Sequence, residues 1–274
     1  MPLTLSWTGS TTLPVTSDAL RADRLAGLAP PEAAALPARI GNQPATLGDL
    51  FRIAGDTAGG PHRLEGDLRH VRGIGLGMSS GSLLIEGDVG PYLGAAMTGG
   101  AITLNGSASS WAGAEMRGGT LHIRGSAGDY LGAAEPGSRR GMRDGLILVE
   151  GPVGSEAGLA MRRGLIAVTG PSGPGLGRGM IAGTILSLGP VARLAGSGMK
   201  RGTLALVDPG PDFEPLATFA PSGRYRFPFL AVYLRTLRDR GFPIPAGLES
   251  AAFDRYNGDL LDGGQGEILT LAAG

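Results

Sequence analysis

Cysteine is absent from this chain of 274 residues, and aromatic residues make up only 5% of it. Without cysteine the chain cannot form disulfides, thiolate zinc sites or cysteine-ligated iron–sulfur clusters. Its 24 basic and 24 acidic residues cancel, so the net charge gives no indication of a nucleic-acid or membrane partner. No apolar run approaches the length of a membrane span and no signal peptide is recognisable, which predicts a cytoplasmic protein.

The methionines, in contrast, recur with a fixed period. Seven of the eight are separated by 19, 19, 26, 19, 19 and 19 residues: Met78, Met97, Met116, Met142, Met161, Met180 and Met199. The long interval contains a seven-residue insert, residues 135–141, and removing it restores the spacing of 19. A fixed period of this size indicates a solenoid, in which each repeat buries its apolar face against its neighbours.

Each repeat also has the same internal pattern. A glycine stands three residues after every periodic methionine: Gly81, Gly100, Gly119, Gly145, Gly164, Gly183 and Gly202. A branched aliphatic residue stands five residues after it: Leu83, Ile102, Leu121, Ile147, Ile166, Ile185 and Leu204. A second apolar position follows two residues later and is interrupted only by Ser187. Alternating aliphatic residues between glycines predict one short strand per repeat with one buried face.

Nineteen residues suffice for one coil of short strands and tight corners, but not for a strand–helix–strand crossover with its loops. The pattern therefore predicts an all-β solenoid, a right-handed parallel β-helix of about seven 19-residue turns with small mixed N- and C-terminal caps. We expect an N-terminal cap over residues 1–60, the β-helix over 61–208, and a C-terminal helix and docking arm over 209–274. A calcium-binding β-roll does not fit, because it needs a nonapeptide period with recurrent aspartate.

The two ends carry signals of their own. Residues 3–7 and 13–15 predict strands, and residues 46–49 have the capping-box-like spacing of a helix start. Pro228 followed by leucines at helical spacing, and then by Gly241, predicts a C-terminal helix. Residues 253–269 predict an irregular arm that docks either on this chain or on a partner.

The repeat Gly-x-x-Met-x-x-Gly-x-Ile-x-Ile-x-Gly, seen in residues 94–106 and 113–125, is similar to repeats of two related groups. One is the β-helical C-terminal domain of glutamate synthase large subunits, and the other is the C subunit of formylmethanofuran dehydrogenases. The flanks favour the second group. Residues 40–55 and 255–269 resemble that family's lead-in segment and C-terminal signature, which begins with Arg255-Tyr256-Asn257-Gly258-Asp259. The resemblance covers almost the whole chain.

The resemblance implies one of two settings. In methanogenic archaea, the C subunit belongs to a tungsten or molybdenum complex that reduces carbon dioxide onto methanofuran. In methylotrophic bacteria, related subunits form a formyltransferase/hydrolase complex of one-carbon metabolism. That complex moves a formyl group from tetrahydromethanopterin to a methanofuran-type carrier and hydrolyses it to formate. Lys200 is the only lysine here, and the use of arginine in its place favours the bacterial setting.

In that family, catalysis belongs to other subunits. The resemblance implies three partners: an amidohydrolase-like A subunit with zinc, a B subunit, and a formyltransferase D subunit. We expect this chain to be a noncatalytic structural subunit, not an enzyme by itself, with no cofactor, metal or catalytic residue of its own. His62, His70 and His122 are expected to be surface histidines rather than ligands, because a zinc centre needs three or four convergent ligands.

Basic residues recur just after the periodic methionines. The set is Arg117, Arg143, Arg162, Arg163, Lys200 and Arg201, with Arg139 and Arg140 on the insert. Stacked coils would place them along one edge of the rod. They are either a solvated edge paired with acidic neighbours, or a docking surface for an acidic partner or for the polyglutamate tail that carriers of this family bear.

Two further functional classes are weighed against this hypothesis. A detached glutamate-synthase-type β-helix domain would share the repeat, but the flanking segments argue against it. A polysaccharide lyase or hydrolase would need convergent carboxylates or basic residues on one sheet. The outward positions form a mixed row without paired acids on adjacent coils: Glu86, Asn105, Arg124, Glu150, Thr169 and Leu188.

Overall fold

The structure is a computed structural model that describes residues 2–55 and 60–272. The strands are β1 Leu3–Trp7, β2 Val15–Thr16, β3 Pro37–Ile40, β4 Gln43–Thr46, β5 Phe51–Gly55, β6 His62–Glu65, β7 Val71–Arg72, β8 Ser82–Glu86, β9 Thr98–Asn105, β10 Arg117–Ile123, β11 Asp144–Val149, β12 Leu165–Val168, β13 Thr184–Ser187, β14 Arg201–Leu206, β15 Ala220–Tyr225, β16 Phe253–Gly258 and β17 Gln265–Leu271. The helices are α1 Ala22–Leu25, α2 Pro30–Ala34 and α3 Pro228–Asp239, with 3₁₀ turns at Leu47–Asp49, Leu248–Ser250 and Leu260–Asp262.

A large, mostly parallel sheet dominates the molecule. Its thirteen strands run in the order β15-β16-β17-β14-β13-β12-β11-β10-β9-β8-β6-β1-β5. From β8 to β14 each repeat contributes one strand, and the register places equivalent residues opposite each other, as in Ile166↔Ile185↔Leu204. A second line of parallel contacts joins the coils through single bridges: Leu68, Val89, Ala108, Ala127, Val153, Ser172 and Val191. This mostly β, parallel-rich arrangement is consistent with a β-helix.

The repeated apolar positions form ladders inside the coils. All seven periodic methionines are fully buried, and so are the aliphatic residues at the first inward strand position. Ser187 interrupts the second inward ladder, where its hydroxyl donates to the Gly189 carbonyl at 3.2 Å and lies 3.4 Å from Ser172 Oγ. A buried hydroxyl needs such partners, because burial without a hydrogen bond is costly.

Glycine at the corners is required by both conformation and space. Gly158 has φ +73°, a region that side chains with a Cβ rarely adopt. A Cβ at this position would lie 2.4 Å from Cδ1 of the buried Ile185, in the next coil. Ile185 therefore occupies the space that a side chain at position 158 would need, so neighbouring coils can pack this closely only with glycine at this corner.

The ends of the parallel sheet are covered by strands from the chain's own termini. β1 pairs parallel to β6 and antiparallel to β5. β17 pairs parallel to β14 and antiparallel to β16. Pairing at both ends protects edges that would otherwise offer unpaired backbone groups.

The helix start expected at residues 46–49 is confirmed, but only as a single 3₁₀ turn, Leu47–Asp49. Thr46 and Asp49 do make the capping contact, since the Thr46 backbone N–H donates to Asp49 Oδ2 at 2.8 Å. The segment closes after one 3₁₀ turn, however, because Phe51–Gly55 continues as strand β5 beside β1. Pairing with β1 takes the backbone hydrogen bonds that a longer helix would have used.

The expected C-terminal helix is confirmed as α3, and Gly241 follows it with φ +78°. Its buried residues Leu230, Leu234 and Leu237 join an apolar cluster with Leu148 and Leu186 on the outward face of the sheet. As a result β12 and β13 are buried on both faces, and the unbroken apolar run Leu165–Val168 is the sequence signal for this. Residues 253–269 also dock on this chain, but the predicted irregular arm was wrong: they form β16 and β17, because β17 pairs parallel with β14 and extends the sheet.

Candidate functional site

The basic residues that follow the methionines lie at one corner of the coils, with Ile181 at the same corner of the Met180 coil. The backbone N–H groups of Arg117, Arg143 and Arg162 each donate to the carbonyl of a methionine one coil earlier, over 2.7–2.8 Å. The N–H of Lys200 does the same at 2.7 Å. These residues therefore occupy equivalent positions along one edge of the stacked strands, as the repeat predicts.

Four of the eight basic residues come together in one cavity. Arg162, Arg163, Lys200 and Arg201 line a space of about 510 Å³, closed on one side by the C-terminal segment with Asp262 and Gln265. The Arg201 Nε donates to Gln265 Oε1 at 2.7 Å. Within residues 2–55 and 60–272, no carboxylate lies within 4.0 Å of the Arg162, Arg163 or Lys200 side-chain nitrogens. The cavity thus combines four cations with one carboxylate and can attract anionic groups.

The other four basic residues lie outside this cavity. Arg143 is neutralised by Glu115, with 3.0 Å between Arg143 Nη2 and Glu115 Oε2. Arg117 begins β10 and is exposed. Arg139 and Arg140 are exposed on the insert, which leaves the regular coil as its sequence predicts. Outside the cavity the predicted basic set therefore consists of one ion-paired arginine and three exposed arginines, whereas three of the cations inside it have no carboxylate within 4.0 Å in the described part of the chain.

The histidines have different environments. His62 is buried, and its Nδ1 accepts a hydrogen bond from the Leu3 backbone N–H at 3.0 Å. Its expected surface location was wrong, because the pairing of β1 with β6 covers it. Burial lowers the pKa of His62, since desolvation disfavours the imidazolium. His122 Nε2 lies 2.7 Å from Glu150 Oε1 on the outward face.

The described residues contain no group of three or more His, Cys, Asp or Glu side chains that could hold a metal ion. In the same part of the chain, no helix combines the length and the apolar character that crossing a bilayer requires.

A second surface feature was missed by the sequence reasoning. Tyr92, Trp111 and Tyr130 stack on one another outside the core, with ring centroids 6.0 and 4.3 Å apart and interplanar angles of 13°. A cavity of about 620 Å³ adjoins Tyr92, and another of about 390 Å³ adjoins Trp111 and Tyr130. The sequence does contain a signal for this stack, because the three aromatic residues are spaced 19 residues apart, like the methionines.

Comparison with solved structures shows a likeness over almost the full length of the chain. A chain in the crystal structure of the formyltransferase/hydrolase complex from Methylorubrum extorquens, in complex with methylofuran, is 34% identical with a TM-score of 0.84. The match covers 98% of this chain and 100% of that chain. No protein-family model matches.

Curated relatives match over a shorter stretch. The C subunit of molybdenum-containing formylmethanofuran dehydrogenase 1 from Methanothermobacter thermautotrophicus is 40% identical over 87 residues, which is 30% of this chain and 21% of that protein. The C subunit of tungsten-containing formylmethanofuran dehydrogenase 2 from Methanothermobacter wolfeii is 36% identical over 87 residues, or 30% of this chain and 32% of that protein. The match thus spans about a fifth to a third of these relatives.

Proposed function

This chain belongs to the family of formylmethanofuran dehydrogenase C subunits, and from that premise we propose that it is the noncatalytic structural C subunit of a formyltransferase/hydrolase complex. The reaction proposed for the complex is transfer of a formyl group from tetrahydromethanopterin to a methanofuran-type carrier, followed by release of formate. The full-length likeness to a chain of the Methylorubrum extorquens complex carries this proposal.

We infer that the scaffold is a right-handed parallel β-helix of about seven coils. Seven in-register parallel strands, β8–β14, support the coil number, and right-handed connection is the rule for parallel strands. The boundaries at residues 60 and 208 stay predictions. A rod whose backbone hydrogen bonds are satisfied along its length has faces free for contact with other subunits.

The noncatalytic role is supported by how the outward polar groups are used. Asn105 Nδ2 donates to both Glu86 carboxylate oxygens at 3.0 and 3.1 Å, and Glu150 is engaged by His122. We assign formate release, and the zinc expected for it, to an amidohydrolase-like A subunit. The other proposed partners are a B subunit and a formyltransferase D subunit. Location of the complex in the cytoplasm stays a prediction.

We further propose that the basic cavity binds carboxylates of the carrier's polyglutamate tail. Arginine suits this role because its planar guanidinium can hold a carboxylate through two hydrogen bonds. The unpaired cations Arg162 and Arg163 lie two coils before Lys200, with Ile181 and Ala182 on the coil between them. This spread suits an extended polyanion better than a single ion. An acidic segment of a partner subunit is the competing occupant.

Reconstitution tests the structural role. We expect the purified chain alone to release no formate from the formylated carrier, and its addition to the partner subunits to restore a stoichiometric, active complex. Formyl transfer or formate release by the chain alone would contradict the noncatalytic role. Full activity of a complex assembled without the chain would contradict the structural role.

Charge reversal tests the basic cavity. Arg163→Glu should raise the carrier KM of the assembled complex several-fold at low salt, and the effect should shrink in 0.5 M NaCl because screening lengths fall from about 10 Å at 0.1 M to about 3 Å at 1 M. Arg193→Glu is the matched control, since Arg193 is exposed and lies outside the cavity lining. An unchanged KM with impaired assembly would identify a partner segment as the occupant, and no change in either would remove the proposal.

A further inference from the structure

The stacked aromatic residues occupy one repeated position of the coil. That position is filled by Gly73, Tyr92, Trp111, Tyr130, Glu156, Gly175 and Leu194, all with φ between +56° and +78°. The same backbone contact recurs from coil to coil: the N–H of Gly73 donates to the Pro91 carbonyl at 2.9 Å, and that of Tyr92 donates to the Ser110 carbonyl at 3.1 Å. These residues are therefore successive rungs of one column on the surface of the rod.

Three neighbouring rungs carry large rings in a backbone region that favours glycine. A left-handed conformation costs a residue with a Cβ on the order of 1–2 kcal/mol. Two other rungs of the column are glycine, which avoids this cost. The aromatic side chains stack outside the core, with Trp111 between Tyr92 and Tyr130, so each end of the stack has one ring face that no further ring covers.

The two ends of the stack differ. Beyond Tyr130 the next rung is Glu156, whose carboxylate is bound by Arg178 at 2.6 Å. Beyond Tyr92 the next rung is Gly73, which has no side chain. The stack of three rings therefore ends at an unfilled rung on the Gly73 side only.

The unfilled rung opens into the cavity of about 620 Å³, within the range that holds small ligands. Its apolar walls are Leu76 and the N-terminal cap residues Pro37 and Ala38. Its charged groups are two guanidiniums and two carboxylates: Arg39, Arg72, Asp18 and Glu135. The cavity therefore offers a ring face, apolar walls, and both hydrogen-bond donors and acceptors at its rim.

We propose that this cavity binds a small planar heteroaromatic molecule, whose ring stacks on Tyr92 at the rung left empty by Gly73. Aromatic rings prefer offset stacking at centroid distances of about 4.5–7 Å, and the existing stack already shows the geometry that a fourth ring would continue. The rim charges hold polar substituents of the ring. This site is separate from the basic cavity and does not depend on the formyl-transfer role.

Binding of two matched probes tests the site in the isolated protein. Indole-3-acetate supplies a planar ring and cyclohexylacetate a non-planar apolar one, with the same carboxylate. Ligand-detected NMR should show saturable binding of indole-3-acetate at millimolar concentration, and binding of cyclohexylacetate at least threefold weaker. Equal binding of both probes, or no binding of indole-3-acetate at 10 mM, would overturn the proposal.

Three variants locate the bound ring. Gly73→Tyr fills the empty rung, and Tyr92 shows that a tyrosine is accommodated at the same φ one coil away; a Cβ at Gly73 would meet nothing closer than Leu76 at 3.6 Å. Tyr92→Leu removes the stacking face. Leu194→Tyr is the control, because it adds a ring at a distant rung of the column.

Indole-3-acetate binding should be lost in the first two variants and retained in the third. Circular dichroism of each variant shows whether it folds. If Gly73→Tyr does not fold, Tyr92→Leu still tests the site. Binding that survives in folded Tyr92→Leu would overturn the site. If the isolated protein binds no probe and a partner's aromatic side chain covers Tyr92 in the complex, the cavity is a contact between subunits and the ligand proposal is wrong.

Discussion

Replacing Gly158 by alanine tests the claim that the coil corners need glycine for two separable reasons. The backbone there is left-handed, at φ +73°, which costs an alanine about 1–2 kcal/mol. Its methyl group would also lie 2.4 Å from Ile185 Cδ1, and overpacking of this kind costs about 1–3 kcal/mol. We therefore expect Gly158→Ala to lower the free energy of unfolding by about 2–5 kcal/mol.

Gly179→Ala separates the two contributions. Gly179 has φ +61°, but a Cβ there would meet no atom within 4 Å, so only the conformational cost applies. The loss of unfolded-state entropy is common to both substitutions and cancels in the comparison. Chemical denaturation followed by circular dichroism and tryptophan fluorescence should therefore show Gly158→Ala to be more destabilising than Gly179→Ala by about 1–3 kcal/mol.

Removing the colliding atom provides the rescue. Ile185→Val deletes Cδ1 and by itself costs about 0.5–1.5 kcal/mol. In combination with Gly158→Ala it should recover most of the steric cost, which gives a favourable coupling of about 1–3 kcal/mol in a double-mutant cycle. Equal destabilisation by the two glycine variants, together with additive effects in the cycle, would refute the proposed contact between neighbouring coils.

Two further predictions concern stability. The pKa of buried His62 is lowered, so the unfolded state binds its proton more readily than the folded state, and the free energy of unfolding should fall as the pH drops below about 6.5. His62→Gln should reduce this dependence of the free energy of unfolding on pH, whereas His70→Gln, at an exposed position, should leave it unchanged. The same dependence on pH in both variants, measured by denaturation at several pH values, would contradict this assignment. Leu234→Ala should cost about 2–5 kcal/mol, because it opens the fully buried contact of α3 with the sheet. Val232→Ala, on a residue that is 58% exposed, should change the denaturation midpoint little, and similar losses in both would contradict the docking of α3.

The repeat made the stacked strands predictable from the sequence. Glycine and alternating aliphatic residues at fixed distances from Met78 to Met199 specify one strand per repeat, and the observed register follows them. The edge of basic residues was predictable for the same reason, because equal positions in equal repeats must align. Which of these basic residues are ion-paired was not predictable, since the ion pair of Arg143 with Glu115 joins residues 28 apart across the insert.

Contacts between non-repeating segments were harder to predict. The turn at residues 47–49 has the local signals of a helix, but pairing of β5 with β1 overrides them. His62 looked exposed because its cover, β1, lies nearly sixty residues earlier in the chain. The aromatic stack was predictable from its 19-residue spacing, and the same spacing places Gly73 one repeat before Tyr92. The cavity beside Gly73 was not predictable, because residues of the non-repeating N-terminal cap line it.

Native purification of the tagged protein from its host tests whether the chain is a subunit of a formyltransferase/hydrolase complex. Mass spectrometry of the partners and elemental analysis of the complex would be made on the same sample. We expect amidohydrolase and formyltransferase subunits to co-purify with zinc, and without tungsten, molybdenum or iron–sulfur. Stoichiometric tungsten or molybdenum with iron would identify a dehydrogenase complex instead, and recovery of the chain alone would contradict its structural role in a larger assembly.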